Sequence, residues 1–335
     1  MMNTGTGLYW ILAAAGLLLA GGLFLYIVKR RGLSVSRAAG SFLCGILLAL
    51  VAARGLCALL NLLSRGNTGG FQLSPDRFSF VGGCTGFCLG AVAVSSGRRK
   101  KIPALLDCLA VPGCLLIAFL RFGEIFLEQW GLADVYTLGL PDIADGTLLA
   151  RFPFALQDAW GIWYLSVSTL AAAVALGTGA FFFFRTRRFS SFPAPDGLLF
   201  MRCAFLLCCF RLFLELTRMN CLIFWFVHTD QALCALALLG LMICTGLRLK
   251  AYSGRFPLAA FLTVLLCLVL NGLTQYFMDK PWMFAPLFPD DVFRFLSSNL
   301  KGFGFSVLFL TALLPAFIHG FLCRKLAKLA ARSVS

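Results

Sequence analysis

Two histidines and fourteen acids are all that this chain of 335 residues offers for proton chemistry and negative charge. The histidines, His228 and His319, lie far apart, and none of the fourteen cysteines falls in a Cys-x-x-Cys pair. The residue clusters that zinc requires are therefore missing, and neither a metal nor another cofactor is expected. Charged residues make up only 13% of the chain against 60% hydrophobic, with a mean hydropathy of +0.89. That is too little polar surface to cover a soluble globule of this length. The apolar runs also lack the alternation of barrel strands, and at roughly 20 residues each they match the thickness of a bilayer core. The expected fold is an all-α polytopic integral membrane bundle.

What is present orders the chain further. Nine spans are predicted, at Leu8–Val28, Ala38–Leu63, Phe78–Val94, Ile102–Leu127, Pro153–Phe184, Leu198–Leu216, Gln231–Leu247, Phe256–Met278 and Phe303–Cys323. The net charge of +15 invites a nucleic-acid partner, but its distribution speaks against one. Lysines and arginines gather at every second gap between spans: Lys29 to Arg37, Arg98 to Lys101, Arg185 to Arg188, Arg248 to Arg255 and Arg324 to Arg332. The intervening loops hold most of the loop acids, among them Asp76, Asp134, Asp230 and Asp290. By the positive-inside rule the N-terminus faces outward and the C-terminus inward, which requires an odd number of spans. No basic segment precedes the first span and no small-residue cleavage site closes it, so it is expected to be a retained helix.

Depth then singles out three arginines. Arg54, Arg121 and Arg211 each lie late in a span that runs from inside to outside, and an ionised arginine in that position needs a partner or a ligand. Acids accompany them: Glu124 and Glu128 follow Arg121, Glu215 is at i+4 from Arg211, and Asp158 lies near the outer start of the fifth span. Spacings of three and four share a helix face, so Arg121/Glu124 and Arg211/Glu215 are expected to pair. Three planar, permanently charged forks at one depth suit a phosphate diester, and at that depth the abundant one is a phospholipid headgroup. The small residues Gly82, Gly83 and Gly86 open the third span and allow close approach of a backbone or headgroup. Most cysteines, including Cys44, Cys57, Cys108, Cys203, Cys208, Cys209 and Cys267, lie inside apolar spans, where a thiol packs as a small hydrophobe.

From Leu8 to Leu249 the chain resembles the prolipoprotein diacylglyceryl transferases. Ala52-Ala53-Arg54 resembles the family's Gly-Ala-Arg, and Ser79-Phe80-Val81-Gly82-Gly83-Cys84-Thr85-Gly86 its Ser-Phe-His-Gly-Gly-x-x-Gly. The basic loop before Leu105-Leu106-Asp107-Cys108-Leu109-Ala110-Val111-Pro112 is similar to its Leu-x-Asp-x-x-Ala-Pro element. Arg121-Phe122-Gly123-Glu124-Ile125, followed by Glu128, Trp130 and Gly131, resembles the signature Arg-Ile-Gly-Asn-Phe that leads to an acid, an aromatic and a glycine. Phe152 to Asp158 resembles His-Pro-x-x-Leu-Tyr-Glu, and Arg211 to Arg218 resembles Arg-Phe-x-x-Glu-x-x-Arg, with Gln231 at the following glutamine.

The resemblance implies a seven-helix core within residues 1–250, with 251–335 as an extension carrying two further spans. It implies transfer of a diacylglyceryl group from phosphatidylglycerol to the lipobox cysteine of a prolipoprotein, at the outer side of a bacterial plasma membrane, with release of glycerol phosphate. Arg121, Arg211 and Glu124 are the catalytic candidates. Arg54, Gly82, Gly83, Gly123, Glu128, Gly131, Asp158 and Glu215 are assigned to substrate binding. Three departures stand out: Val81 replaces the family histidine, Glu124 replaces the signature asparagine, and Phe152 and Gln157 replace a histidine and a tyrosine. Valine moves no proton, so the remaining candidate proton acceptors are Glu124 and Asp158, of which Glu124 is the one expected to act, because a carboxylate in a site of low dielectric can serve as a base. A lipid-binding homologue without transfer chemistry is the alternative that these departures suggest. A transporter is a more distant one, disfavoured because no internal repeat is apparent.

Overall fold

The structure, a computed structural model, describes residues 4–65, 79–94, 101–126, 151–157, 163–187, 196–215, 223–224 and 227–332. The helices are α1 (Thr4–Arg30), α2 (Val35–Arg65), α3 (Phe80–Val94), α4 (Ile102–Gly123), α5 (Val167–Arg187), α6 (Leu198–Glu215), α7 (Thr229–Ser253), α8 (Leu258–Asp279), α9 (Asp290–Ser298) and α10 (Leu300–Arg332). Tight 3-10 turns cover Glu124–Phe126 and Pro281–Leu287. Two small hairpins, β1 (Ala155–Gln157) with β2 (Trp163–Leu165) and β3 (Ile223–Phe224) with β4 (Val227–His228), are the β pairing among the described residues. A helix answers all its backbone polar groups internally, which is the condition for crossing lipid. Seven of these helices are long and apolar enough to do so, and the protein is a multi-pass membrane protein. Of the remaining predicted spans, α3 has only 15 residues, and α6 carries three ionisable side chains, Arg202, Arg211 and Glu215.

Helix ends follow local chemistry. Gly32, at φ +66°, closes α1 with Leu33 N–H donating to the Val28 carbonyl at 3.1 Å, the bond pattern that a left-handed glycine permits. The predicted fifth span begins too early. Pro153 offers no N–H to a helix, and the chain from Phe154 instead enters the β1–β2 hairpin. Helix α5 starts at Val167, where Ser166 Oγ accepts the Thr169 N–H at 3.3 Å as an N-cap. Thr169 Oγ1 donates back to the Pro153 carbonyl at 2.7 Å, tying the hairpin to the helix. At the other end of the chain α10 outlasts its predicted limit at Cys323 and runs to Arg332, through lysine, leucine and alanine, which favour the helix.

Packing fixes the direction of every neighbour. Gly86 meets the Leu48 carbonyl and Gly90 meets Gly45, so α2 and α3 run antiparallel with backbones in contact, an approach that only small residues allow. Gly16 rests on Phe119 and Arg31 bonds the Ala104 carbonyl at 2.8 Å, which sets α1 antiparallel to α4. Asp107 accepts N–H bonds from Gly197 and Phe200 at 2.7 and 2.8 Å, capping the start of α6 and setting it parallel to α4. Helix α4 is the most buried membrane-length helix, 56% of its span against 17–44% for the others, because it packs on α1, α5 and α6. One apolar core joins α6, α7, α8 and α10 around Phe205, Leu238, Met242, Val264 and Leu326. Outward-facing Leu18, Val51, Phe317 and Phe321 remain exposed, as a lipid-facing wall should.

The same register gathers Lys29, Lys101, Arg185, Lys250 and the Arg324 to Arg332 tail at one end of the bundle. The opposite end receives the termini that carry Arg54, Arg121, Glu124, Arg211 and Asp230. Of the cysteines assigned to packing, Cys57, Cys108, Cys203, Cys209 and Cys267 are buried, while Cys44 and Cys208 are half-buried.

Candidate functional site

The C-terminal end of α4 delivers Arg121 into the bundle, where it is 3% exposed. The chain tightens there into the turn Glu124–Phe126, and this brings the Glu124 carboxylate to 2.6 Å from Arg121 Nη1. Glu124 itself is partly open, at 24% exposure. The expected local pair is present, and its short charge-assisted bond fixes the guanidinium plane. Gly123, between them, is buried against the Tyr9 ring of α1, where an added methyl group would come 3.1 Å from Tyr9 Cδ2.

Arg211, 6% exposed near the end of α6, lies 3.7 Å from a carboxylate as well, but from Asp230 at the start of α7. The expected partner Glu215 is the last residue of α6, and its side chain lies outside the described residues. Asp230 is held from a third element, for Ser79 Oγ donates to its Oδ1 at 3.3 Å. The same Ser79 oxygen accepts the Gly82 N–H at 3.2 Å, and the Ser79 N–H donates to the Ala53 carbonyl at 3.0 Å. One serine thereby links the α2 backbone, the start of α3 and the acid beside Arg211.

Phe80 follows that serine, and both arginines approach its ring. The Arg121 guanidinium carbon is 4.6 Å from the ring centroid and that of Arg211 is 5.1 Å. The two cations are thus at most about 10 Å apart on one aromatic ring. Arg54 comes directly after Ala53, whose carbonyl holds Ser79, and is itself 9% exposed. The three arginines picked out by depth therefore lie at one end of the bundle, Arg121 and Arg211 on the Phe80 ring and Arg54 beside the α2 carbonyl that holds Ser79.

Gly82 is needed there. A Cβ on it would lie 2.7 Å from the Ala52 carbonyl oxygen and 2.9 Å from Ala53 Cα, whereas one on Gly83 would meet only Ala53 Cβ at 3.7 Å. Val81, at the family histidine position, packs against the apolar core of α6, α7, α8 and α10. Gln231, next to Asp230, is buried and donates to Asn271 Oδ1 at 3.1 Å, and Asn271 in turn donates to Thr311 Oγ1 at 3.0 Å. A hydrogen-bonded chain thus runs from the residue beside the arginine cleft through Asn271 of α8 to Thr311 of α10. Glu128, Gly131 and Asp158 lie outside the described residues.

Three contributors escaped the sequence reading. Phe80 and Ser79 belong to the Ser79 to Gly86 motif, in which an aromatic next to a hydroxyl, in a span with arginine neighbours, is a usable signal. Asp230 was grouped with the loop acids, since its pairing with Arg211 spans nineteen positions and no spacing rule reaches that far.

A family model for prolipoprotein diacylglyceryl transferase matches residues 4–246. No curated protein and no solved structure matches the chain. The family match covers well over half of the sequence, and the chain belongs to the prolipoprotein diacylglyceryl transferase family, whose members work in lipoprotein biosynthesis on lipid and lipoprotein substrates at a membrane.

Proposed function

We propose that this chain transfers the diacylglyceryl group of phosphatidylglycerol to the lipobox cysteine of a prolipoprotein, at the outward face of a bacterial plasma membrane. The observation that carries the reading is the pair of buried arginines that both pack on Phe80. In the reaction the cysteine sulfur attacks the glycerol carbon that bears the phosphate ester. A carbon–sulfur bond forms, the carbon–oxygen bond breaks, and glycerol phosphate leaves with the electron pair. Negative charge accumulates on the leaving phosphate, where Arg121 and Arg211 supply charged donors in a site largely closed to water. Arg54 completes the clamp from α2.

The thiol must lose its proton before or during attack. Glu124 is the acceptor in this reading, since its carboxylate is partly open while its Arg121 partner is buried. Asp230 and Ser79 are positioning residues that hold Arg211. Gly82 keeps α3 against α2, and Gly123 keeps α4 against Tyr9. We further read residues 1–250 as the transferase core, and 251–335 as an extension joined to it through Gln231, Asn271 and Thr311.

A second reading has one observation in its favour. Val81 is packed in an apolar core and leaves no proton-transfer group at that position, which suits a phospholipid-binding homologue without transfer chemistry. Incubating purified protein with phosphatidylglycerol carrying a radiolabelled diacylglyceryl group and a lipobox peptide separates the two. The transferase reading expects label on the peptide cysteine, sharply reduced in Glu124→Gln. Full activity in Glu124→Gln would remove Glu124 from the mechanism.

A further inference from the structure

At the basic end of the bundle, far along α6 from Arg211, a cavity of about 110 Å³ opens between α5, α6 and α10. Three cations line it: Arg185 from the end of α5, Arg202 from the first turns of α6, and Arg324 from α10. Its wall is aromatic and rigid. Phe205 lies flat on the His319 imidazole, with centroids 3.9 Å apart and planes 4° from parallel. His319 is 1% exposed and is held in turn by Thr245 Oγ1 at 3.0 Å.

No acid lines this cavity, and α5, α6 and α10 contain a single one, Glu215, at the opposite end of α6. Two acids belong to the basic end, Asp107 and Asp196, and both are engaged elsewhere. Asp107 caps α6, and Asp196 lies 3.8 Å from Arg31. Among the described residues none of Arg185, Arg202 and Arg324 makes an ion pair. The Nε of Arg202 is buried without a hydrogen-bond partner. A buried cationic donor left unanswered is costly, and a ligand oxygen would answer it. Phe181, on the cavity wall, is 55% exposed, and Phe184, Phe317 and Phe321 on the same helices α5 and α10 are exposed as well.

We propose that this cavity is a second anion site, which binds the phosphate of an anionic phospholipid in the leaflet at the basic end of the bundle. Arginine forks match phosphate oxygens in geometry as well as charge, and the exposed phenylalanines give the acyl chains an apolar track. The ligand would bridge the family-matched region to α10, which lies wholly beyond residue 246. This site is separate from the transfer cleft and does not depend on the transfer chemistry.

The test is native mass spectrometry of the full-length protein titrated with phosphatidylglycerol, together with thermal unfolding in inorganic phosphate. Wild-type protein and Arg121→Ala should both hold a lipid whose affinity falls about tenfold in Arg324→Gln, and further in Arg185→Gln/Arg324→Gln. Both arginines are exposed, so these variants fold even if Arg202→Gln does not. An unfolding temperature raised by phosphatidylglycerol but not by inorganic phosphate, in an Arg324-dependent way, identifies a lipid headgroup as the source. An equal rise with inorganic phosphate supports the same pocket, with a soluble phosphate as its ligand. Lipid occupancy and unfolding temperature indifferent to Arg185 and Arg324, or equal binding of phosphatidylcholine, would overturn the proposal.

Discussion

Helix α6 carries an arginine near each end, and the surroundings of the two differ in kind. Arg211 faces Asp230, as Arg121, also on the Phe80 ring, faces Glu124, so each of these buried cations is matched by an acid. Arg202 shares its cavity with two further arginines and with no acid. A cleft with an acid beside each cation is close to neutral before any ligand arrives, and those acids limit how strongly charge alone attracts an anion. An unbalanced pocket has the opposite character: it attracts anions by charge, and its geometry is completed by whatever binds. The first arrangement suits a site where charge develops during a reaction, the second a site that retains a resident anion.

Breaking the balanced cleft should have the largest effect. Arg121→Ala removes a donor aimed at the leaving phosphate, and transfer to a lipobox peptide should fall about 10²–10³-fold. The Arg324-dependent lipid should remain countable by mass, which keeps the two ends distinct. Next comes the frame that carries Phe80. Gly86→Ala drives a methyl group into the Leu48 backbone, and thermal unfolding in detergent should report a loss of about 1–3 kcal/mol. Gly83→Ala, with its nearest contact at 3.7 Å, should stay within about 0.5 kcal/mol of wild type.

A smaller effect follows from the ring that both cations approach. Phe80→Leu keeps the bulk but loses the aromatic face, at a cost of about 0.5–2 kcal/mol, and the transfer rate should drop several-fold. Ionic strength should give the smallest and most selective effect. Screening shortens the reach of exposed charges to about 8 Å at physiological salt, so lipid affinity at the Arg185/Arg324 pocket should weaken with added salt more than affinity at the Arg121/Arg211 cleft.

The membrane class, the helix positions and the Arg121/Glu124 pair were legible because they rest on local rules: run length, charge placement and the repeat of a helix. The start of α5 was misjudged because the apolar run is continuous across Pro153, and only the Ser166 cap shows where the helix begins. For a related reason the sequence does not show Asp230 beside Arg211. A local acid at i+4 satisfies the spacing rule, whereas Asp230 reaches Arg211 only through the antiparallel packing of α6 and α7. In the sequence Arg202 stands alone in an apolar run and Arg324 opens the basic tail. Their convergence depends on α10 lying beside α5 and α6, which no sequence spacing encodes. Asp107, read as one letter of a motif, proves to cap the start of another helix ninety positions away.

The central claim is that the Arg121–Phe80–Arg211 cleft serves a transfer reaction. The most direct measurement is the mass of a lipobox peptide after incubation with purified protein and phosphatidylglycerol vesicles. The account predicts a gain of one diacylglyceryl group on the cysteine, present with wild-type protein and lost with Arg121→Ala. A peptide of unchanged mass alongside phosphatidylglycerol bound in an Arg121-dependent way would contradict it, and would leave the cleft as a lipid-binding site only.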